Sequence, residues 1–316
     1  MRLIAPLVIL LTSLLPALAA APLVTAAGPL SYYAVQRADT PLVIDGKLDE
    51  FDWEKSSQIN NLERILNDYD QVEFPTRAKM LWDDEYFYFA FVCQDADMWS
   101  IFTAEDDPLW SEEVVEIFID PDGDGKHYLE VEVSPSNVIV DLLIYSVSPQ
   151  WHSSKDWDIA GLKTAVQTHG TVNDSLRLDR GWTAEIAIPW AAMADSVTGG
   201  ARPAPGDIWR LNLYRIERKA GRALKSQLDA LEAEVAPLQD EIEALWEDTA
   251  ARDPKRLDDE RRRQLSALNE RLNPIMERLT PLQHHYRQQT EFTAWSETYT
   301  RGFHHPARFG AVQFMD

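Results

Sequence analysis

The sequence predicts a mainly β protein: an antiparallel β-sandwich into which one pair of helices is inserted. Three observations carry this. Short runs rich in β-branched and aromatic residues recur between turn residues. Several of them alternate polar and apolar positions with period two. The pattern then stops at residues 219–289, where leucines take up helical spacing. The β runs are Thr76–Trp82, Tyr86–Cys93, Val114–Ile119, Tyr128–Val133, Val138–Tyr145, Leu162–Thr168, Trp182–Ile188 and Ile208–Ile216. Glu130-Val131-Glu132-Val133 and Thr183 to Ile188 alternate as half-buried strands do, whereas Tyr86 to Val92 is apolar on both faces and belongs at the centre of a sheet. Many short strands closed by Gly, Pro, Asn and Asp turns define a sandwich or a barrel, and a sandwich is preferred.

Within 219–289, Leu228, Leu231, Val235, Leu238, Ile242 and Leu245 form one seam, and Leu265, Leu268, Leu272, Ile275, Leu279 and Leu282 repeat it. Spacings of three and four make a coiled-coil-like seam, and the polar stretch Glu247–Arg256 with Pro254 is its turn. Pro237, Pro274 and Pro281 fall inside the pattern, so kinks or breaks are expected there. This hairpin holds 12 basic and 14 acidic side chains; the remaining 18 basic against 38 acidic place nearly all of the net charge of -22 on the β part. It reads either as a self-packed insertion or as an arm for dimerisation or docking to a protein partner, since a two-helix seam leaves apolar surface to cover.

The acidic balance excludes a nucleic-acid binder, because phosphate contacts require clustered Lys and Arg. A 45% hydrophobic share with 11 Trp excludes a disordered chain. Cys93, the single cysteine, excludes an intramolecular disulfide, and its apolar neighbours mark it as a core residue. Residues 1–21 carry Arg2, an apolar run from Leu3 to Leu15, then Pro16 and Ala17-Leu18-Ala19, the order of a cleaved secretory signal peptide. The mature protein is therefore expected in the periplasm or outside the cell.

The densest motif is Asp120-Pro121-Asp122-Gly123-Asp124-Gly125. Asp120, Asp122 and Asp124 reproduce the opening of a calcium loop, although the twelfth position, where a Glu is wanted, holds Val131. A tight Asp/Gly turn explains the same residues, so a structural Ca²⁺ and a bare turn both stand. Trp82, Trp99, Trp110, Trp151, Trp157 and Trp295 lie near strand ends or among polar residues and are candidates for an exposed face that stacks on a sugar ring; Trp182, Trp190 and Trp209 read as core. No nucleophile elbow, zinc-protease helix or phosphate loop is present, and no organic cofactor is expected. His304 and His305, read as strand neighbours, would point to opposite faces and make no ready metal site.

Several segments together resemble carbohydrate-binding module family 9. They are Ala34–Asp39, Ile44–Glu50 with Trp53, Leu81–Tyr88, Trp110–Asp120, Gly181–Trp190, Pro205–Asn212, Ala294–Ser296 and Phe303–Gly310. The resemblance covers about residues 34–218 and 290–316, leaving 219–289 as the insertion and no catalytic domain beside the module. It implies an immunoglobulin-like sandwich that binds poly- or oligosaccharide, often with structural calcium, and that grips a sugar between two tryptophans. By position Trp110 and Trp295 are that pair, Glu116 is a hydroxyl-binding carboxylate, and Asn137 and Arg301 are further contacts. The resulting expectation is an exported, non-catalytic protein that captures a glycan for breakdown or uptake. Beside it stand an envelope interaction or structural protein working through the hairpin, and a glycoside hydrolase using an Asp/Glu pair.

Overall fold

The computed structural model describes residues 24–25, 28–66, 71–218, 221–246 and 257–316. The expected signal peptide at 1–21 and most of the expected helix–helix turn lie outside the described residues. A short pair, β1 (Val24–Thr25) and β2 (Gly28–Pro29), leads into β3 (Tyr32–Arg37), α1 (Phe51–Lys55), β4 (Glu63–Arg64), β5 (Thr76–Trp82) and β6 (Tyr86–Cys93). There follow β7 (Val114–Asp120), β8 (Tyr128–Val133), β9 (Ile139–Ser146), β10 (His152–Ser154), β11 (Lys163–Thr168) and β12 (Trp182–Pro189). The chain ends with α2 (Trp190–Ala194), β13 (Ile208–Arg218), α3 (Gly221–Ala244), α4 (Asp259–Gln288), β14 (Thr290–Ala294) and β15 (Gly310–Phe314).

Hydrogen bonds join these strands in the order β10-β9-β8-β7-β13-β15-β3-β5-β6-β12-β11, with β14 beside β13 and β4 beside β14. The sheet is mixed, which corrects the expectation of antiparallel pairing throughout. β3 runs parallel to β15 over Tyr32–Val35 and then parallel to β5 at Gln36 and Arg37. One strand thus leaves one layer and enters the other, as strands do at the corner of a sandwich. The result is a curled half-barrel folded over on itself, sandwich-like but not closed.

Alternation along the strands builds two cores. Val115, Ile117 and Ile119 of β7 and Leu129, Val131 and Val133 of β8 meet Phe87, Phe89 and Phe91 of β6 between the layers. Phe118, Tyr128, Leu142 and Tyr214 point to the opposite face, where Phe303 and Phe309 of the segment before β15 cover them. β7 and β8 are consequently buried on both sides. Val131, at the twelfth place of the calcium-like loop, is core and offers no ligand. Cys93 is buried as expected, and burial pushes its thiol up to about 11.

The helices pair as the heptads predict, burying Leu228, Leu231, Val235, Leu279 and Tyr286 together. The prolines do not break them: α3 runs through Pro237, and α4 runs through Pro274 and Pro281. Each proline removes one helical donor, and the shared seam offsets that loss. Asp258 caps α4 by accepting from the Arg261 amide at 2.8 Å. The hairpin leaves the sheet after Arg218 and returns at Thr290, which are register partners across β13 and β14. It stands where a tight turn would otherwise close the two strands. No helix among the described residues is long and apolar enough to cross a membrane.

Candidate functional site

The outer face of β7, β8 and β9 carries a cavity of about 490 Å³ lined by Trp110, Glu116, Glu130, Glu132, Trp151, Lys155, Arg301 and His304, among others. Period-two alternation explains the floor: Glu116 shares its face with Phe118, and Glu130 and Glu132 share theirs with Tyr128. Glu116 lies directly across from Glu132 in the ladder. One carboxylate oxygen from each of the three falls within 4.8 Å of the others.

Two tryptophans flank this floor. Trp110 sits on the turn entering β7 and is 41% exposed; Trp151 sits in the β9–β10 connection and is 49% exposed. Arg218 holds the first of these turns. Its guanidinium donates to the carbonyls of Trp110 at 2.7 Å and Glu112 at 3.2 Å and to Thr290 Oγ1 at 3.1 Å. The Lys155 ammonium lies 4.7 Å from the Trp110 ring centroid and donates to the Asp106 carbonyl. Trp151 meets the His304 ring edge-on at 4.5 Å and donates to Ser153 Oγ. His304 lies in a loop and not in a strand, and its Nδ1 bonds the Tyr128 hydroxyl at 2.8 Å.

The electrostatics follow from burial. Desolvation, reinforced by Glu132, raises Glu116 well above the usual carboxylate range, with Arg218 opposing. Desolvation with Glu132 and Glu116 does the same to Glu130. Glu132 is pushed up to about 7, chiefly by burial. Burial lowers His304 to about 4, so its imidazole is neutral at physiological pH. Such a floor favours the protonated acids, able to donate to as well as accept from hydroxyls, or carboxylates when a cation takes the proton's place, and two half-exposed aromatic faces suit the C–H face of a pyranose.

The structure brings Trp110, Glu116 and Arg301 together and leaves Trp295 and Asn137 outside. Trp295 is 9% exposed and packs in the main core, edge-on to Tyr33 at 6.5 Å. Gly310 is where it is because of that ring: a Cβ there would come within 2.4 Å of it. Asn137 adopts φ 58° in the β8–β9 turn, exposed to solvent, with its amide bonded to Ser134. The aromatic group near Trp110 in the cavity is Trp151, which its polar loop setting already marked as a candidate. Trp82 and Trp99, candidates on the same ground, are buried. Nothing in the pattern of single residues singled out Arg218 or Lys155.

At the end of β7, Asp120, Asp122 and Asp124 bring one oxygen each within 4.8 Å of one another. Asp120 Oδ2 accepts from Gly125, Asp122 Oδ1 from Asp124 and Asp124 Oδ1 from Lys126, the bonds of a tight Asp/Gly turn. Asp120 Oδ1 is buried without a hydrogen-bond partner, and burial pushes the carboxyl up to about 7. An orphaned buried oxygen among three carboxylates fits a hard cation. A third acidic group, Asp95, Glu113 and Glu217, is also buried, but Arg215 sits among them, 3.1 Å from Asp95 and in contact with Glu217.

Residues 44–221 match the family model described as carbohydrate family 9 binding domain-like, more than half of the chain. The chain belongs to this family. This family 9-like chain is similar to an extracellular protein of Arthroderma benhamiae, 28% identical over 151 residues, or 46% of this chain. The match spans 65% of that relative, a little under two thirds of its length. Among solved structures, a candidate carbohydrate-binding protein from Bacteroides uniformis aligns over 90% of this chain and 99% of its own, with a TM-score of 0.55 and 13% identity. At that identity the likeness shows a shared fold. A family 9 carbohydrate binding module from Caldicellulosiruptor kristjanssonii in complex with cellotriose aligns over 90% of this chain and 94% of its own, with a TM-score of 0.46 and 14% identity.

Proposed function

We propose that this is an exported, non-catalytic carbohydrate-binding protein whose sugar lies in the cavity between Trp110 and Trp151. Family membership supports the role, and one observation carries the site: two half-exposed tryptophans border one cavity whose floor is acidic and whose rim holds Arg301 and Lys155. The rings would stack on the sugar while Glu116 and Arg301 bond its hydroxyls. Trp151 takes the part that chain position alone gave to Trp295. The binding unit is 34–218 with 290–316, an immunoglobulin-like arrangement in broad outline, and 219–289 is a separate helical insertion. Export would follow from a cleaved peptide at 1–21, and an extracellular location is in keeping with the name of the Arthroderma benhamiae relative. Asp120, Asp122 and Asp124 would hold a structural Ca²⁺, with the orphaned Asp120 oxygen as the supporting observation.

The test is calorimetry of residues 22–316 against a panel of oligosaccharides. Saturable binding to a defined sugar, lost in Trp110→Ala without loss of fold, is the expected result; no binding across the panel by folded protein contradicts the proposal. The hairpin as an arm for dimerisation or a protein partner has less support, because Leu228, Leu231, Val235 and Leu279 already bury one another. Sedimentation equilibrium checks it, a monomer being expected.

A further inference from the structure

We propose that Glu116, Glu130 and Glu132 hold a hard divalent cation of the calcium class on the cavity floor, and that its open coordination positions take sugar hydroxyls. The second half of this rests on the sugar-binding reading above; the first does not. Three observations lead to it. One oxygen from each carboxylate lies within 4.8 Å of the other two, a span one ion can bridge. Glu130 Oε2 and Glu132 Oε2 are buried with no hydrogen-bond partner, and both residues are almost wholly buried. A buried acceptor left unsatisfied is costly unless something pairs with it.

Among the described residues no basic side chain fills that need. No Lys or Arg among them forms an ion pair with the three carboxylates; Glu130 and Glu132 contact each other, and His304 Nε2 lies 3.7 Å from Glu130 Oε2. The Arg218 donors are taken by two carbonyls and Thr290, and Lys155 is turned to the Asp106 carbonyl. The other buried trio shows what neutralisation by the chain looks like, since Arg215 stands between Asp95 and Glu217. An all-oxygen set selects a hard ion, and three carboxylates leave several of its six to eight positions free. Those positions open into the cavity that Trp110 and Trp151 line.

The test is a calcium titration of the full chain after chelator treatment, by calorimetry, with Asp122→Asn/Asp124→Asn to silence the acidic turn. In that background one site is expected, and adding Glu130→Gln/Glu132→Gln should weaken it at least tenfold. No calcium binding in the background, or unchanged binding after the glutamine changes, overturns the site. Should the glutamine variant fail to fold, anomalous diffraction from terbium-loaded crystals of the unaltered chain decides: a peak between the three carboxylates supports the site, and a peak only at Asp120–Asp124 overturns it. Sugar is read separately. Whichever oligosaccharide titrates the protein should bind at least tenfold more weakly in EDTA, and equal affinity overturns the bridging role. Failure of every sugar while the ion binds refutes the sugar-binding reading and leaves the ion site standing.

Discussion

Opposite faces of the same sheet carry two trios of buried carboxylates that differ in how their charge is met. On the inner side, Asp95, Glu113 and Glu217 surround Arg215, whose guanidinium also stacks on Trp182 at 5.1 Å from the ring centroid. On the outer side, Glu116, Glu130 and Glu132 border a cavity, and among the described residues no guanidinium forms an ion pair with them. A buried charge cluster closed by its own chain holds structure together, whereas one left open toward a cavity is poised for something from outside. The contrast separates a packing element from a binding element that composition alone cannot distinguish, because both are simply Asp and Glu in strands.

The largest effect that could break this contrast is Arg215→Met. It strands three buried carboxylates, and a loss of about 3–5 kcal/mol in urea unfolding is expected. Glu132→Gln in ion-free buffer should change stability by less than about 1 kcal/mol, since it relieves repulsion, breaks no salt bridge and leaves an amide that can still accept from its neighbours. Equal losses in the two variants would erase the distinction. The tryptophans sharpen it next. Trp295→Ala empties core volume and should cost about 3–5 kcal/mol of stability, leaving sugar affinity in the surviving folded fraction unchanged. Trp151→Ala should leave unfolding nearly unaltered and weaken sugar binding roughly tenfold, about 1.4 kcal/mol, as read by calorimetry.

A smaller effect is the pH dependence. Burial pushes Glu217 up to about 8, with Arg215 opposing, and Glu185 up to about 7, with the Trp53 indole and the Gly46 and Asp45 amides opposing. Unfolded glutamates titrate near ~4.3, so the native state binds the extra protons between that value and pH 7 to 8. Stability from these groups is fully present below the unfolded value and lost as pH rises through the folded ones. His304 acts in the other direction: held at about 4, it stays neutral while the unfolded imidazole takes up its proton below ~6.5, and stability falls as pH drops. Thermal melts in EDTA should therefore show a Tm that falls from about pH 5 to about pH 8, because the two raised acids outweigh the one histidine over that range. A Tm that climbs steadily to pH 8 would contradict the assignment of these groups as buried acids.

The smallest effect concerns the hairpin. Because Arg218 and Thr290 are already register partners, a short turn can replace residues 219–289. Arg218 loses its contact with the Tyr286 ring, 5.3 Å away, but keeps its bonds to Trp110 and Glu112. A loss of about 1–2 kcal/mol in unfolding and a change of less than threefold in sugar affinity are expected. A complete loss of binding would show that the hairpin forms part of the site.

Much of this was legible in the sequence. Strands such as Val114–Ile119 and Tyr128–Val133 are found within a residue of their observed limits, because β-branched runs and period-two alternation are local signals. The heptads likewise announce α3 and α4. The parallel pairing of β3 with β15 was not legible, since it joins residues about 280 positions apart and periodicity says nothing of partners. Glu130 and Glu132 read as the wet face of a half-buried strand, yet Phe303 and Phe309 close much of that face from far along the chain. Trp295 misleads for a related reason. Its neighbours Thr293, Ser296 and Glu297 are polar, while the ring itself turns inward to Tyr33.

A crystal structure of the protein with calcium and the oligosaccharide that binds it tests the central claim most directly. The account predicts a sugar ring between Trp110 and Trp151, with an ion beneath it touching Glu116, Glu130 and Glu132. A sugar bound anywhere else on the molecule, with this cavity empty, would contradict it.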